Sequence, residues 1–298
     1  MLRLGVDLGG TKTAITVLDA DRTERLVRRA ATPTGAYETA LADLSEMILE
    51  AERAAGSRCR VGIGMPGAVS ARTGLVTNSY NTAFNGRPLR GDLERLLARE
   101  VRVANDANCF ALSEAIDGAA RGAHVVFGAI LGTGAGGGIV VGGRVVEGRN
   151  RIGGEWGHNP LPWISPDEFP GPPCYCGRRG CIEQFVSGPA LEREYAAATG
   201  RPLEPMAIVK EAERGNAACE AALQRYENRL SRALAHVINL LDPDVIVLGG
   251  GLSNVTRLYS SVASLLPGFV YSATVETEVV RAAHGDASGM RGAAMLWP

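Results

Sequence analysis

Apolar residues along this chain fall into short runs separated by longer stretches of helical spacing. Leu2 to Val6 and Thr13 to Leu18 are apolar and β-branched runs flanking Asp7-Leu-Gly-Gly-Thr-Lys12, which predicts strand, glycine turn, strand. From Ala36 to Ala55 the residues Leu41, Leu44, Met47, Ile48 and Ala51 recur every three or four positions, the spacing of an amphipathic helix. Val61 to Met65 reads as a strand closed by Pro66-Gly67, and Leu89 to Glu100 as a second helix. Val101 to Ala104 is a strand that delivers Asn105-Asp106-Ala107-Asn108, and Cys109 to Ile116 continues as a helix.

The second half repeats this outline. His124 to Leu131 is an apolar strand, Gly132 to Gly138 a glycine turn, and Ile139 to Val141 a returning strand. Helices follow near Pro189 to Ala198 and over Ala217 to Leu241, the latter stopped by Asp242-Pro243. Val245 to Leu248 is a buried strand ending at Gly249-Gly-Gly251, Asn254 to Leu266 is helical, Thr274 to Arg281 is a strand, and Met290 to Leu296 begins a last helix. Parallel strands joined by helices predict an α/β fold with two domains, a duplicated core and a ligand cleft between the halves.

Composition narrows the partners. Lys+Arg number 31 against Asp+Glu 32, a formal charge of −1, so there is no basic surplus to condense on nucleic acid or an acidic membrane. The start Met-Leu-Arg-Leu-Gly-Val-Asp7 lacks the basic and apolar regions of a secretion signal, and no run of about 18 apolar residues occurs. A cytoplasmic chain with reduced thiols is the expectation. Cys59, Cys109 and Cys219 stand apart and read as small buried side chains.

The other three cysteines cluster in Cys174-Tyr-Cys176-Gly-Arg-Arg-Gly-Cys181-Ile-Glu183, with Glu155-Trp-Gly-His158 upstream. Cys174, Cys176, Cys181 and His158 make a three-sulfur, one-nitrogen set that suits tetrahedral Zn²⁺, and four protein ligands leave no open position for catalysis. The metal would shape a loop. Glu155 and Glu183 beside the ligands suggest a polar substrate, and His158 can place one ring nitrogen on zinc and turn the other toward a substrate oxygen.

Three glycine turns follow strands: Gly9-Gly10-Thr11 with Lys12, Gly132-Thr133-Gly134 with Gly136 and Gly137, and Gly249-Gly250. None fits the dinucleotide fingerprint or the Walker loop, but together they suit backbone contact with a nucleotide's phosphates. Asp7 stands where hydrated Mg²⁺ could bridge to those phosphates. Asp106, at a strand end before a helix, is the candidate general base, with helix capping as the alternative for it and Asn105.

The segments Asp7-Leu-Gly-Gly-Thr-Lys12, Asn105-Asp106-Ala-Asn108, Leu131-Gly-Thr-Gly134, Glu155-Trp-Gly-His158, Cys174 to Glu183 and Leu248-Gly-Gly-Gly251 together resemble the ROK family of sugar kinases and repressors. The resemblance spans essentially the whole chain. It implies an actin-like ATPase (ribonuclease H-like) fold, with an N-terminal domain of residues 1–118 plus 285–298 and a C-terminal domain of residues 119–284 that carries the zinc loop. It also implies ATP and a sugar as substrates, structural zinc on His158, Cys174, Cys176 and Cys181, and a homodimer. Gly67, Asn81, Asn105, Asp106, Glu155, His158 and Glu183 are the expected sugar-binding set.

Within the family, His158-Asn-Pro-Leu-Pro-Trp163, Asn85-Gly-Arg-Pro88 and His284-Gly-Asp-Ala-Ser-Gly-Met-Arg291 look most like bacterial fructokinases that also phosphorylate mannose, with N-acetylglucosamine kinases as close relatives. The expected reaction is transfer of the γ-phosphoryl group of ATP to the 6-hydroxyl of fructose, with mannose or glucose as further acceptors. N-acetylglucosamine or N-acetylmannosamine is the alternative acceptor. A sugar-sensing regulator is the different-class alternative. Such repressors carry a helix-turn-helix module of about 60 residues ahead of the first glycine turn, and only six residues precede Asp7 here.

Overall fold

A computed structural model describes residues 1–79 and 82–298. The expected sugar-binding residue Asn81 lies outside the described residues. Contacts divide the chain into two units, Met1–Arg121 with Gly138–Gly154 and Asp286–Pro298, and Gly122–Gly137 with Glu155–Gly285. The stretch 138–154 falls in the first unit because it packs there. A side chain at Gly138 would run into the backbone of Ala107.

In chain order the elements are β1 (Arg3–Leu8), β2 (Lys12–Leu18), β3 (Glu24–Ala31), α1 (Tyr37–Ala55), β4 (Arg60–Met65), β5 (Ala68–Val69), β6 (Val76–Thr77), α2 (Leu89–Leu97), β7 (Val101–Asn105) and α3 (Asp106–Ile116). Then come β8 (Val125–Leu131), β9 (Ala135–Val141) and β10 (Arg144–Val145), followed by α4 (Glu183–Val186), α5 (Gly188–Thr199), α6 (Pro205–Glu213) and α7 (Ala217–Leu241). β11 (Val245–Gly249), α8 (Arg257–Leu265), β12 (Glu278–Arg281) and α9 (Ser288–Met295) complete the chain. Two five-stranded sheets are ordered β3-β2-β1-β4-β7 and β10-β9-β8-β11-β12. The two orders match strand for strand, so the duplication expected from the paired strand-glycine-strand patterns is present in the topology. No described helix is long and apolar enough to cross a membrane.

Strand periodicity decides how the first unit is layered. In β1, Leu4, Val6 and Leu8 are fully buried and belong to one core with Val61, Ile63 and Met65 of β4, Leu44 and Ile48 of α1, and Leu93 of α2. Each such side chain contributes roughly 1.5–3 kcal/mol through burial. The alternate positions, Gly5, Asp7, Gly62 and Gly64, point to the opposite face. There α9 lies so close that a Cβ on Gly5 would overlap the Met290 carbonyl and one on Gly62 the Ala293 carbonyl. Missing side chains on one strand face thus bring a helix from the far end of the chain directly onto the sheet.

In the second unit β8 and β11 pair in parallel, as do β11 and β12. The 25-residue α7 is capped by Asn216, whose side chain accepts from the Ala218 and Cys219 amides, and ends where Asp242 turns left-handed at φ 48°. Its buried residues Leu223, Tyr226, Leu230, Leu234 and Ile238 keep the helical spacing read from the sequence. The Tyr226 hydroxyl donates to the Val186 carbonyl at 2.9 Å.

Several elements differ from the pattern reading; β12, for one, begins at Glu278 and not at Thr274. β3 is an almost wholly exposed edge strand rich in arginine, held by its backbone pairing with β2, so it carries no apolar signal. α6 opens with Pro205 at its first position, where a missing N–H costs nothing, and the pattern reading passed over it. α2 ends at Leu97, three residues before Glu100, because Ala98 turns left-handed. β9 begins at Ala135, so Gly136, Gly137 and Gly138 lie in a strand, leaving only residues 132–134 as the turn.

Candidate functional site

In the first unit the parallel strands β1, β4 and β7 end at one edge, with Asp7 opposite Gly64 and Met65 opposite Asn105. Asn105 is the N-cap of α3. Its Oδ1 accepts from the Ala107 amide at 2.9 Å and the Asn108 amide at 3.3 Å, while its Nδ2 donates to the Gly67 carbonyl at 3.1 Å. Gly67 itself sits at φ +77°, with a Cβ there overlapping the Thr77 carbonyl. Capping therefore falls to Asn105, and Asp106 opens the helix with its carboxylate accepting from Ala107 at 2.8 Å.

Asp7 points from the glycine face of β1 toward the start of α9, where a Cβ on Gly289 would come within 2.6 Å of its Oδ2. Burial, then the negative charges of Asp106 and Asp286, push the Asp7 carboxyl up to about 7. Burial also raises Asp106, against the opposing bonds from the Ala107 amide and Asn105. The thiol of Cys109, buried between these acids, is pushed upward by burial and then by Asp7 and Asp106. The edge is thus a set of mutually repelling acids, an arrangement a cation would relieve. Asp286 was absent from the expected site. Its only sequence signal is the His284-Gly-Asp segment, which places it 180 positions beyond Asp106.

The first glycine turn closes the β1–β2 hairpin in this unit. The Gly9 amide donates to the Lys12 carbonyl at 3.1 Å, the Thr32 hydroxyl donates to the Gly9 carbonyl at 2.7 Å, and the Thr32 amide donates to Thr11 at 3.0 Å. Thr11 and Lys12 are exposed and Gly10 is partly so.

The second unit brings the other two turns together. Gly249 of β11 pairs with Ile130 of β8, and Gly250, at φ +79°, lies against the Leu131 backbone, so that a Cβ would stand 2.5 Å from the Leu131 carbonyl. The Gly132 carbonyl accepts from Gly188 at the start of α5 at 2.8 Å. Glu183 is buried, and its Oε2 accepts from the Ala135 amide at 3.1 Å, beside Gly134. It therefore ties the turn to α4. The strand glycines pack instead of lining a turn: Gly136 accepts from the Trp156 indole at 2.7 Å. Gly136 and Gly137 thus lie in strand β9, outside the turn in which the sequence reading placed them.

His158 closes a short 3₁₀ turn, Trp156–His158, and Glu155 precedes it on the surface. A tight turn brings the cysteines to it: the Cys174 amide donates to Arg178 at 2.8 Å, and the Gly177 amide to Cys174 at 3.0 Å. Donor atoms of His158, Cys174, Cys176 and Cys181 all lie within 4.8 Å of one another. The Cys174 Sγ to His158 Nδ1 and Cys176 Sγ to Cys181 Sγ separations are both 3.6 Å. Tetrahedral Zn²⁺ with bonds of about 2.0–2.3 Å has edges of about 3.6–3.8 Å, so the residues fit the ion. Burial and the neighbouring thiols of Cys176 and Cys174 push Cys181 upward, and a dication is what would let three thiolates coexist there. His158 Nε2, on the far side of the ring, meets the Tyr175 hydroxyl at 2.9 Å. The expected sugar contact at that nitrogen thus has a phenol already beside it, a residue the sequence reading did not single out.

Residues 162–169 of the ligand-bearing loop are anchored on α7. Glu168 receives both Arg232 bonds at 2.7 and 2.9 Å and an Arg229 bond at 2.8 Å. Burial alone would raise its carboxyl, but Arg232 and Arg229 hold it down to about 2.

Comparison with known proteins agrees with this geometry. The chain is 40% identical over 296 residues to an N-acetyl-D-glucosamine kinase of Pectobacterium atrosepticum, covering 98% of this chain and 97% of that protein. Its fold is similar to that of the ROK hexokinase from Thermus thermophilus, with a TM-score of 0.87, 33% identity, and coverage of 99% of this chain and 97% of that one. It is similar also to a ROK family glucokinase from Streptomyces griseus determined with glucose and AMPPNP, with a TM-score of 0.80, 29% identity and 99% of both chains covered. The ROK family model matches residues 3–298, and the chain, which has the α/β, actin-like two-unit architecture with paired five-stranded sheets, belongs to the ROK family.

Proposed function

We propose that this protein is an ATP-dependent sugar kinase whose acceptor is N-acetyl-D-glucosamine, phosphorylated at the 6-hydroxyl. The observation that carries the acceptor is the 40% identity over 98% of the chain to an N-acetyl-D-glucosamine kinase. Local segments around Asn85 and His158 pointed to fructose, but they cover few positions, and the His284-Gly-Asp tail is common to both readings. The AMPPNP held by the Streptomyces griseus relative supports ATP as donor.

Phosphoryl transfer needs in-line positioning and charge balance more than covalent participation by the protein. Asp106 takes the proton of the attacking hydroxyl; its raised affinity for a proton, a consequence of burial, suits a base working near neutral pH. Asp7, amid the acids at the edge, would face hydrated Mg²⁺, which when bound neutralises charge on the transferred group. The turns at Gly9–Lys12, Gly132–Gly134 and Gly249–Gly250 offer backbone to the nucleotide phosphates. The residues assigned to the sugar are Gly67 and Asn105 of the first unit and Glu155, His158 and Glu183 of the second. Asn105 acts there partly by fixing the start of α3, and Glu183 by holding the 132–134 turn. Zn²⁺ on His158, Cys174, Cys176 and Cys181 would supply a rigid support for His158.

The test is ADP release by purified protein with ATP, Mg²⁺ and, separately, N-acetylglucosamine, N-acetylmannosamine, glucose, mannose and fructose. The expected result is the highest kcat/KM on N-acetylglucosamine, because that ratio reports transition-state discrimination. A higher kcat/KM on fructose would return the acceptor to the fructokinase reading. No turnover on any sugar would remove the kinase reading and favour a sugar-binding regulator.

A further inference from the structure

The first unit contains a cavity of about 710 Å³ whose lining includes none of the acids at the strand edge, and six of its nineteen lining residues are arginine. That is about a third, where Lys+Arg together are 31 of 298 residues in the chain, so the enrichment is local. Its floor is apolar, formed by Leu112 and Ile116 from the last turns of α3 and by Leu296 just after α9.

Ion pairing accounts for only part of this positive charge. Arg90 pairs with Glu94, Arg151 with Glu147, and Arg102 with Glu100 at 3.6 Å, while Arg102 also donates to the Leu296 carbonyl at 2.5 Å and lies 4.1 Å over the Trp297 ring. Among the described residues Arg3 donates to backbone alone, at the Asp19 and Ala20 carbonyls. Arg22 and Arg144 have no carboxylate within ion-pair reach among the described residues. The positive charges also work against one another: burial, then Arg22, pulls the Arg3 guanidinium below its ordinary range, with Arg60 adding to the effect against Asp19 and Asp117. Cations gathered in a concavity without counter-charge raise the free energy of the folded unit, and a bound anion removes that cost.

We infer that this cavity binds a small phosphate dianion, free or as the phosphomonoester of a small organic molecule, through Arg3, Arg22 and Arg144. Planar guanidinium forks match phosphate oxygens in pairs, and the apolar floor leaves room for a compact organic body. The volume lies in the range of small-molecule sites. Helix C-termini alone explain one of the arginines, Arg102, whose guanidinium meets the Leu296 carbonyl beyond α9. They do not explain Arg22 and Arg144, which come from the β2–β3 turn and from β10. None of Asp7, Asp106 and Asp286 lines the cavity, which runs from Val103 and Ala104 of β7 to Ile116 at the end of α3.

Calorimetric titration with inorganic phosphate and, separately, with N-acetylglucosamine 6-phosphate, at constant ionic strength, tests the inference. One saturable phosphate per chain is expected, weakened at least tenfold in an Arg22→Gln/Arg144→Gln variant whose circular dichroism and sugar-phosphorylation rate are unchanged. Arg144→Gln alone, at an exposed position, should give a smaller loss of the same kind and serves if the double variant folds poorly. The tighter of the two probes identifies whether free phosphate or a phosphomonoester is the occupant. Equal binding by wild type and variants would place the phosphate elsewhere and overturn the inference, as would the absence of saturable binding of either probe up to about 10 mM.

Discussion

Asn105 and Asp106 are adjacent residues that divide two tasks. Asn105 satisfies the free amides at the start of α3, and Asp106 is left with a carboxylate whose bond from the Ala107 amide an asparagine could also accept. Asp106→Asn is therefore expected to leave the melting temperature within about 1–2 °C of wild type while lowering kcat by about 10²–10⁴. Coupled-assay kinetics and thermal unfolding check both halves of that statement, and loss of folding would assign Asp106 a structural role instead. Asp7 behaves differently because its carboxyl is pushed up to about 7 in the folded protein, from an ordinary value of 3.8. An acid with a raised folded value binds its proton more tightly when folded. Its favourable contribution is complete below about pH 4 and is lost as pH rises to about 7, by up to about 4 kcal/mol. Asp7→Asn should accordingly be more stable than wild type at pH 8 in metal-free buffer, with the difference vanishing near pH 4, and should be catalytically impaired. Urea unfolding at the two pH values measures it. A variant less stable than wild type at pH 8 would contradict the assignment.

At the scale of elements, Glu168 is the clamp between the ligand-bearing loop and α7. Its carboxyl is held down to about 2, so the stability it supplies is present above its ordinary value near 4.5 and is lost as pH falls through about 2. Removing one partner of a buried pair leaves the other charge uncompensated, so Glu168→Ala should cost about 3–5 kcal/mol near neutral pH, and much less at pH 2. The metal cluster makes a second element-scale prediction. Cys176→Ser should drop metal content from about one zinc per chain to near zero by elemental analysis and raise KM for the sugar more than it lowers kcat, because His158 loses its support. Full activity in the metal-free variant would deny the cluster any part in recognition. Elements with buried apolar residues were legible in the sequence: α1 and α7 follow the helical period, and β1, β4 and β8 are short apolar runs. β3 was not, because its residues face solvent and its only reason to be a strand is the free edge of β2. Gly136 and Gly137 were misplaced for a related reason, since glycine reads as a turn unless the neighbour that fills its missing side chain is known.

The molecule as a whole rests on contacts between distant parts of the chain. α9 docks on the glycine face of β1 and β4, and Gly62→Ala should destabilise the first unit by more than about 2 kcal/mol, since a methyl there overlaps the Ala293 carbonyl. A melting temperature unchanged by that substitution would show that α9 can shift away at little cost. By itself, the sequence determined the alternation of strand and helix, the repeat of the strand-glycine-strand unit, the four-residue metal set and the two adjacent residues Asn105 and Asp106. These are encoded within a few residues of each other, where spacing and side-chain chemistry are sufficient. Only the tertiary structure decided that Asp286 joins Asp7 and Asp106, that Tyr175 faces the outer nitrogen of His158, and that Gly250 meets Leu131. It also gathered arginines from three separate segments around one cavity. Apart from the Tyr175–His158 contact, which the cysteine loop makes over 17 residues, these depend on which strand lies beside which and how closely a helix approaches a sheet, and packing between distant parts of the chain sets those relations without a local pattern to announce them.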